Sequence, residues 1–129
     1  LSWMGVTAPS YMTSSGRVLL SGLDNDQIDR IYPAKKKIES APPLCLTKTG
    51  EELIKVIEKI RHDGYSTVIE EFEPGLVGAS VPVRDFNGSI VAAINVAAPK
   101  ARFEPHLIPA AKEMKKAADR ITQSLTASN

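Results

Sequence analysis

A single cysteine, Cys45, among 129 residues leaves no internal disulfide and no Cys-cluster metal site. Histidine is nearly as scarce. His62 and His106 have no carboxylate or cysteine at ligand spacing, so both read as surface or capping side chains. No apolar run approaches the roughly 20 residues of a membrane-spanning helix. The opening Leu1-Ser2-Trp3-Met4 has neither the basic flank nor the apolar stretch of a signal peptide. An excess of one charge is lacking too: sixteen Lys and Arg offset fifteen Asp and Glu, a formal net charge of +1. Bulk attraction to nucleic acid or anionic lipid is thereby excluded. What remains is a soluble, cytoplasmic chain, 43% apolar, with room for one domain and one core.

Catalytic constellations are absent as well. There is no Gly-rich phosphate loop, dinucleotide fingerprint or nucleophile elbow. Glu70 and Glu71 are adjacent on a candidate strand and point to opposite faces, so they cannot act as a carboxylate pair. Glu71 and Glu73 read as a like-charged edge facing water. Cys45, between Leu44 and Leu46, reads as an inert, buried thiol. The run Lys35-Lys36-Lys37 reads as a solvated loop. No catalytic residue and no cofactor are assigned; the chain does not read as an enzyme.

The elements themselves are legible. A short helix opens at Thr13 or Ser14, shows Val18, Leu19 and Leu20, and stops at Gly22. A second starts after Asp24, with Ile28, Ile31 and Tyr32 on one side, and ends at Pro33. Residues 33–46 form a loop. Thr49 and Glu52 form a capping box for a third helix with the stripe Leu53, Val56, Ile57, Ile60, ended by Asp63-Gly64.

Strands follow at 65–72, 76–83 and 89–97, with the hairpin signal Asp85-Phe86-Asn87-Gly88 before the last. The run 89–97 is almost wholly apolar and reads as a central strand covered on both faces. A final helix over 104–125 carries the stripe Leu107, Ala111, Met114, Ala118, Ile121, Leu125, starting or kinking at Pro109. The fold class is therefore α+β, an antiparallel sheet flanked by helices. Three strands are thin for this much helix. Either a neighbouring chain contributes strands or the chain belongs to a larger domain.

Binding of a small anion is what the polar residues suit. Thr13-Ser14-Ser15-Gly16 brings hydroxyls and unpaired amides to a helix start. Arg17, one residue inside, either adds a charge-assisted bond or points to solvent. Gly78 and Ser80 share a strand face, and Asn95 is the one polar residue of the apolar strand. A pocket floored by small residues and edged by one amide fits a small carboxylate or aromatic acid.

Several segments together resemble one family. They are Tyr11-Met-Thr-Ser-Ser-Gly-Arg-Val-Leu-Leu-Ser-Gly-Leu23, Ile60-Arg-His-Asp-Gly-Tyr-Ser66, Glu71-x-x-x-Gly75-Leu-Val-Gly-Ala-Ser-Val-Pro-Val-Arg-Asp85, Gly88, and Val91-Ala-Ala-Ile-Asn-Val96. In order and spacing they resemble the effector-binding domain of IclR-type bacterial transcriptional regulators, over about residues 9–125. Residues 9–17 are most similar to the branch governing catabolism of protocatechuate and para-hydroxybenzoate.

The resemblance implies a GAF-like effector domain that controls DNA binding by a separate, N-terminal winged helix-turn-helix. It implies that residues 1–129 are an effector domain lacking its first strands, with the winged helix outside this sequence. DNA would be bound only through that other domain. The effector would be a small organic acid, aromatic or dicarboxylic, and the protein a homodimer or tetramer. Carried over by position, the ligand site comprises Ser14, Ser15, Val68, Gly78, Asn95 and Ala97, beside Thr13, Gly16 and Ser80 from the residue reading. No metal ligand stands among them. The alternative is a free-standing GAF- or PAS-like sensor acting through a protein partner.

Overall fold

The computed structural model describes residues 10–38 and 44–127. Expectations placed on 1–9, on 39–43 and on the last two residues lie outside the described residues. The described chain runs α1 (Ser14–Leu20), α2 (Asn25–Ile31), α3 (Gly50–Asp63), β1 (Ser66–Ile69), β2 (Leu76–Arg84), β3 (Ile90–Pro99), α4 (Lys100–Phe103), a 3-10 turn (Glu104–His106) and α5 (Leu107–Ala127).

Local chemistry accounts for most boundaries. Thr13 caps α1, its Oγ1 accepting from Gly16 N at 3.0 Å. The full reciprocal capping box is at α2, between Asp24 and Gln27. At α3 only half of the expected box forms: Thr49 accepts from Glu52 N, but the Glu52 carboxylate turns back to Lys48 N. Gly64 ends α3 in the left-handed conformation, with φ of 81°.

The sheet is antiparallel in the order β1-β2-β3. β2 is therefore the central strand, and β3, expected there from its apolar run, is an edge among the described residues. Nor is β3 covered on both faces as its apolar run suggests: none of its residues is buried, although one side lies on α1 and Ile94 and Val96 pack partly buried on the α5 side. β1 is shorter than expected because Glu70 takes a left-handed φ of 59° and turns the chain. Its carboxylate accepts from Gly75 N at 3.0 Å, closing the 70–75 turn.

Register places Ser66, Val68, Gly78, Ser80, Asn95 and Ala97 on one face, under α1, which α2 and α3 back. Val77, Ala79, Val81 and Val83 face the other way, against Leu107, Ala111 and Ala118 of α5. The expected α5 stripe is buried only that far; Ile121 and Leu125 are exposed.

Candidate functional site

Between the start of α1 and the sheet face beneath it lies a cavity of about 310 Å³. Thr13, Ser14 and Ser15 form its roof. Val68, Gly78 and Ala97 form an apolar floor, and Asn95 stands at the β3 side. Gly78 is needed small: a Cβ there would lie 3.2 Å from Ser14 Oγ. Among the described residues, no Lys, Arg, His, Asp or Glu lines the space.

The polar end is a wired set of hydroxyls. Ser14 Oγ and Ser80 Oγ both donate to Asn95 Oδ1, at 3.1 and 3.0 Å. Ser15 Oγ lies 2.8 Å from Ser80 Oγ, and giving Ser15 the donor role uses each hydroxyl proton once. With Oδ1 taken twice, the Asn95 Nδ2 hydrogens remain to meet a guest. So do the amides of Ser14 and Ser15 at the start of α1, which have no partner within the helix, whereas that of Gly16 is taken by Thr13 Oγ1. All these donors are neutral.

The sequence profile described as "Bacterial transcriptional regulator IclR C-terminal" matches residues 1–123. The chain belongs to the IclR family of bacterial transcriptional regulators. The Pca regulon regulatory protein of Pseudomonas putida is 30% identical over 120 residues, covering 86% of this chain and 40% of that protein. This IclR-family chain therefore spans well under half the length of that relative. The C-terminal domain of E. coli KdgR superposes with a TM-score of 0.72 at 29% identity, over 91% of this chain and 71% of that one. A double mutant of the PobR inducer-binding domain from Acinetobacter, crystallised with 3-hydroxybenzoic acid, gives a TM-score of 0.68 at 27% identity, over 89% and 66%.

Of the site residues expected in this IclR-family chain, the structure brings Thr13, Ser14, Ser15, Val68, Gly78, Asn95 and Ala97 to one cavity. Ser80 does not line it. It lies fully buried beneath, holding Ser14, Ser15 and Asn95 in place. Gly16 is also outside the lining; its role is close packing, since a Cβ would overlap the Ser10 carbonyl oxygen and lie 2.5 Å from Ser10 Cα. Gly16→Ala is accordingly expected to destabilise the domain by about 1–3 kcal/mol through overpacking, read as a lowered urea midpoint.

Sequence reasoning missed Phe72 and Leu76, which complete the apolar wall. The expected strand 65–72 would hold Phe72, but β1 ends at Ile69. The available signal was a large aromatic two residues before Pro74-Gly75.

Two further expectations are corrected. Arg17 neither reaches the cavity nor points to solvent: it is 2% exposed and ion-paired with Glu71. Glu71 is likewise no solvated edge residue, at 8% exposure. Arg17 Nη1 donates to Glu71 Oε2 at 3.0 Å and Nη2 to Oε1 at 3.1 Å. Arg17 also donates to Tyr11 O at 2.6 Å and to Thr47 Oγ1 at 3.2 Å. Beside this pair lies the buried Cys45, whose thiol burial pushes up from its ordinary pKa.

Burial alone raises the pKa of Glu71, but the bonds and charge of Arg17, with the Leu46 amide and Cys45 thiol, outweigh it and hold the carboxyl below its ordinary value. A carboxyl more acidic folded than unfolded stabilises the fold fully above the unfolded pKa of about 4.3. That contribution is lost as pH falls through the lower folded value. Urea midpoints measured from neutral to acid pH are therefore expected to fall on the acid side, and to fall less steeply in Glu71→Gln.

Proposed function

We propose that this domain binds a small organic acid in the cavity and thereby controls DNA binding by a winged-helix domain elsewhere in the same regulator. The observation carrying the reading is the cavity's division of labour. Phe72, Leu76 and Val68 offer an apolar wall for a ring or chain, and the opposite end carries neutral polar groups whose free donors are the Asn95 Nδ2 hydrogens and the first amides of α1. A carboxylate bound there is held by those oriented N–H groups, as anions are at helix starts. The volume stands at the low end of the roughly 300–1,000 Å³ typical of small-molecule sites, which favours a single-ring or short dicarboxylic acid. The PobR relative's complex with 3-hydroxybenzoic acid supports the same class.

Calorimetric titration with 3-hydroxybenzoate, 4-hydroxybenzoate and adipate tests the reading. Saturable heat with at least one acid is expected, and none with benzyl alcohol, which has the ring without the carboxylate. Equal binding of the alcohol would remove the anion site from the account. A gel shift with the 129-residue chain at low salt is expected to show no specific complex with its promoter. Self-association through open surface such as the β3 edge, where Val91 is exposed, belongs to the same proposal. A purely monomeric light-scattering result at high micromolar concentration would remove it.

A further inference from the structure

We infer that the Arg17–Glu71 ion pair positions the walls of the acid site and links its occupancy to residues 44–47, an inference that rests on the acid-binding reading above. Neither side chain touches the cavity. Yet each is a short step along the backbone from a residue that does. Arg17 follows Ser15 by two positions on the same seven-residue helix, and Glu71 immediately precedes Phe72. The start of α1 and the Phe72 wall are thus the two ends of one two-pronged bond, with N–O distances of 3.0 and 3.1 Å.

A fork of this kind constrains orientation as well as distance, because the planar guanidinium and the carboxylate must stay coplanar to keep both bonds. Stability alone does not call for it, since apolar residues of similar volume serve a buried site as well or better. The same carboxylate reaches further: Glu71 Oε1 accepts from Leu46 N at 2.9 Å. Arg17 Nη2 adds its bond to Thr47 Oγ1 at 3.2 Å.

Two cavity walls and residues 44–47 therefore meet at one ion pair. Along 44–47 the side chains alternate, Cys45 and Thr47 buried, Leu44 and Leu46 outward, with Leu46 78% exposed. A guest that separates or draws together Ser15 and Phe72 cannot do so without moving the carboxylate on which the Leu46 amide hangs. The Leu46 N–H is the reporter of cavity occupancy, although no guest atom comes near it.

Amide hydrogen exchange by NMR on the 15N-labelled 129-residue chain tests this in two independent ways. Saturating 3-hydroxybenzoate is the first. The second needs no ligand: Gly78→Ala places a methyl 3.2 Å from Ser14 Oγ and presses on the start of α1 from the sheet. Each is expected to change the Leu46 exchange rate about fivefold or more, the lower end of ordinary site-to-site coupling. The Tyr32 amide, bonded to Ile28 O in α2, should keep its rate.

Arg17→Lys retains the charge but not the fork, and should abolish the Leu46 response to either perturbation. By reciprocity it should also change the acid's Kd by the factor that coupling contributed. If the acid binds with measurable heat and Leu46 is unmoved by both acid and Gly78→Ala, the pair is structural only and the inference falls. It falls equally if Arg17→Lys responds as the parent does. If Gly78→Ala moves Leu46 while no acid gives heat, the link stands and the acid-binding reading is what fails.

Discussion

Glu71→Ala is expected to lower the free energy of unfolding by about 3–5 kcal/mol, the cost of stranding one partner of a buried ion pair. Among the described residues Arg17 is the largest of the fully buried side chains, and without Glu71 its charge keeps the neutral acceptors Tyr11 O and Thr47 Oγ1. A guanidinium cannot escape by losing its proton, because its pKa lies far above neutrality. Arg17→Ala should cost a similar amount, since the carboxylate then retains the Leu46 amide and Cys45 but no counter-charge. The double replacement Arg17→Met with Glu71→Leu should recover most of the loss, because no buried charge remains. Urea unfolding followed by circular dichroism checks all four proteins. Single-site losses below about 1 kcal/mol would match a solvent-exposed pair and contradict the burial.

Ser14→Leu is expected to abolish acid binding, by about a hundredfold or more in Kd, close to 2.7 kcal/mol. Ser14 forms part of the cavity roof and its Oγ lies 3.1 Å from both Ser80 Oγ and Asn95 Oδ1. A branched four-carbon side chain has nowhere to go but into the cavity, since the sheet lies beneath and Gly78 already leaves space for no more than the hydroxyl. Ser14→Ala is the contrasting variant. It keeps the volume and removes one hydroxyl, so a loss of about 0.5–1.5 kcal/mol, roughly three- to tenfold, is expected. Titration of both variants with 3-hydroxybenzoate, beside thermal unfolding to confirm the fold, separates closure of the site from loss of one bond. Binding by Ser14→Leu as tight as by the parent would place the acid elsewhere and leave Ser14 a packing residue.

Helix starts and stops were legible in the sequence because they are made by residues three or four positions apart. Asp24 with Gln27, Thr49 with Glu52 and the left-handed Gly64 each act within one turn. The strands and their faces were legible for the same reason: a period of two sorts Gly78 and Ser80 to one side and Val77, Ala79 and Val81 to the other. That sorting, with the hydroxyls at the start of α1, singled out Thr13, Ser14, Ser15, Gly78 and Asn95 of the cavity lining, while Val68 and Ala97 followed only from the family resemblance.

Relations across long stretches of chain were decided by the tertiary structure alone. Arg17 and Glu71 are 54 positions apart, and nothing local to either marks the other as its partner. An isolated Arg beside a helix start and a Glu in an acidic run both look solvated, because burial of a charge becomes tolerable only once its counter-charge is brought alongside. Strand order is hidden in the same way. Centre or edge depends on backbone pairing, which any sequence can supply, so the apolar run of β3 specifies neither. Among the described residues β3 has one strand neighbour and no buried side chain; Ala93, Ile94 and Val96 are only partly buried against the helices.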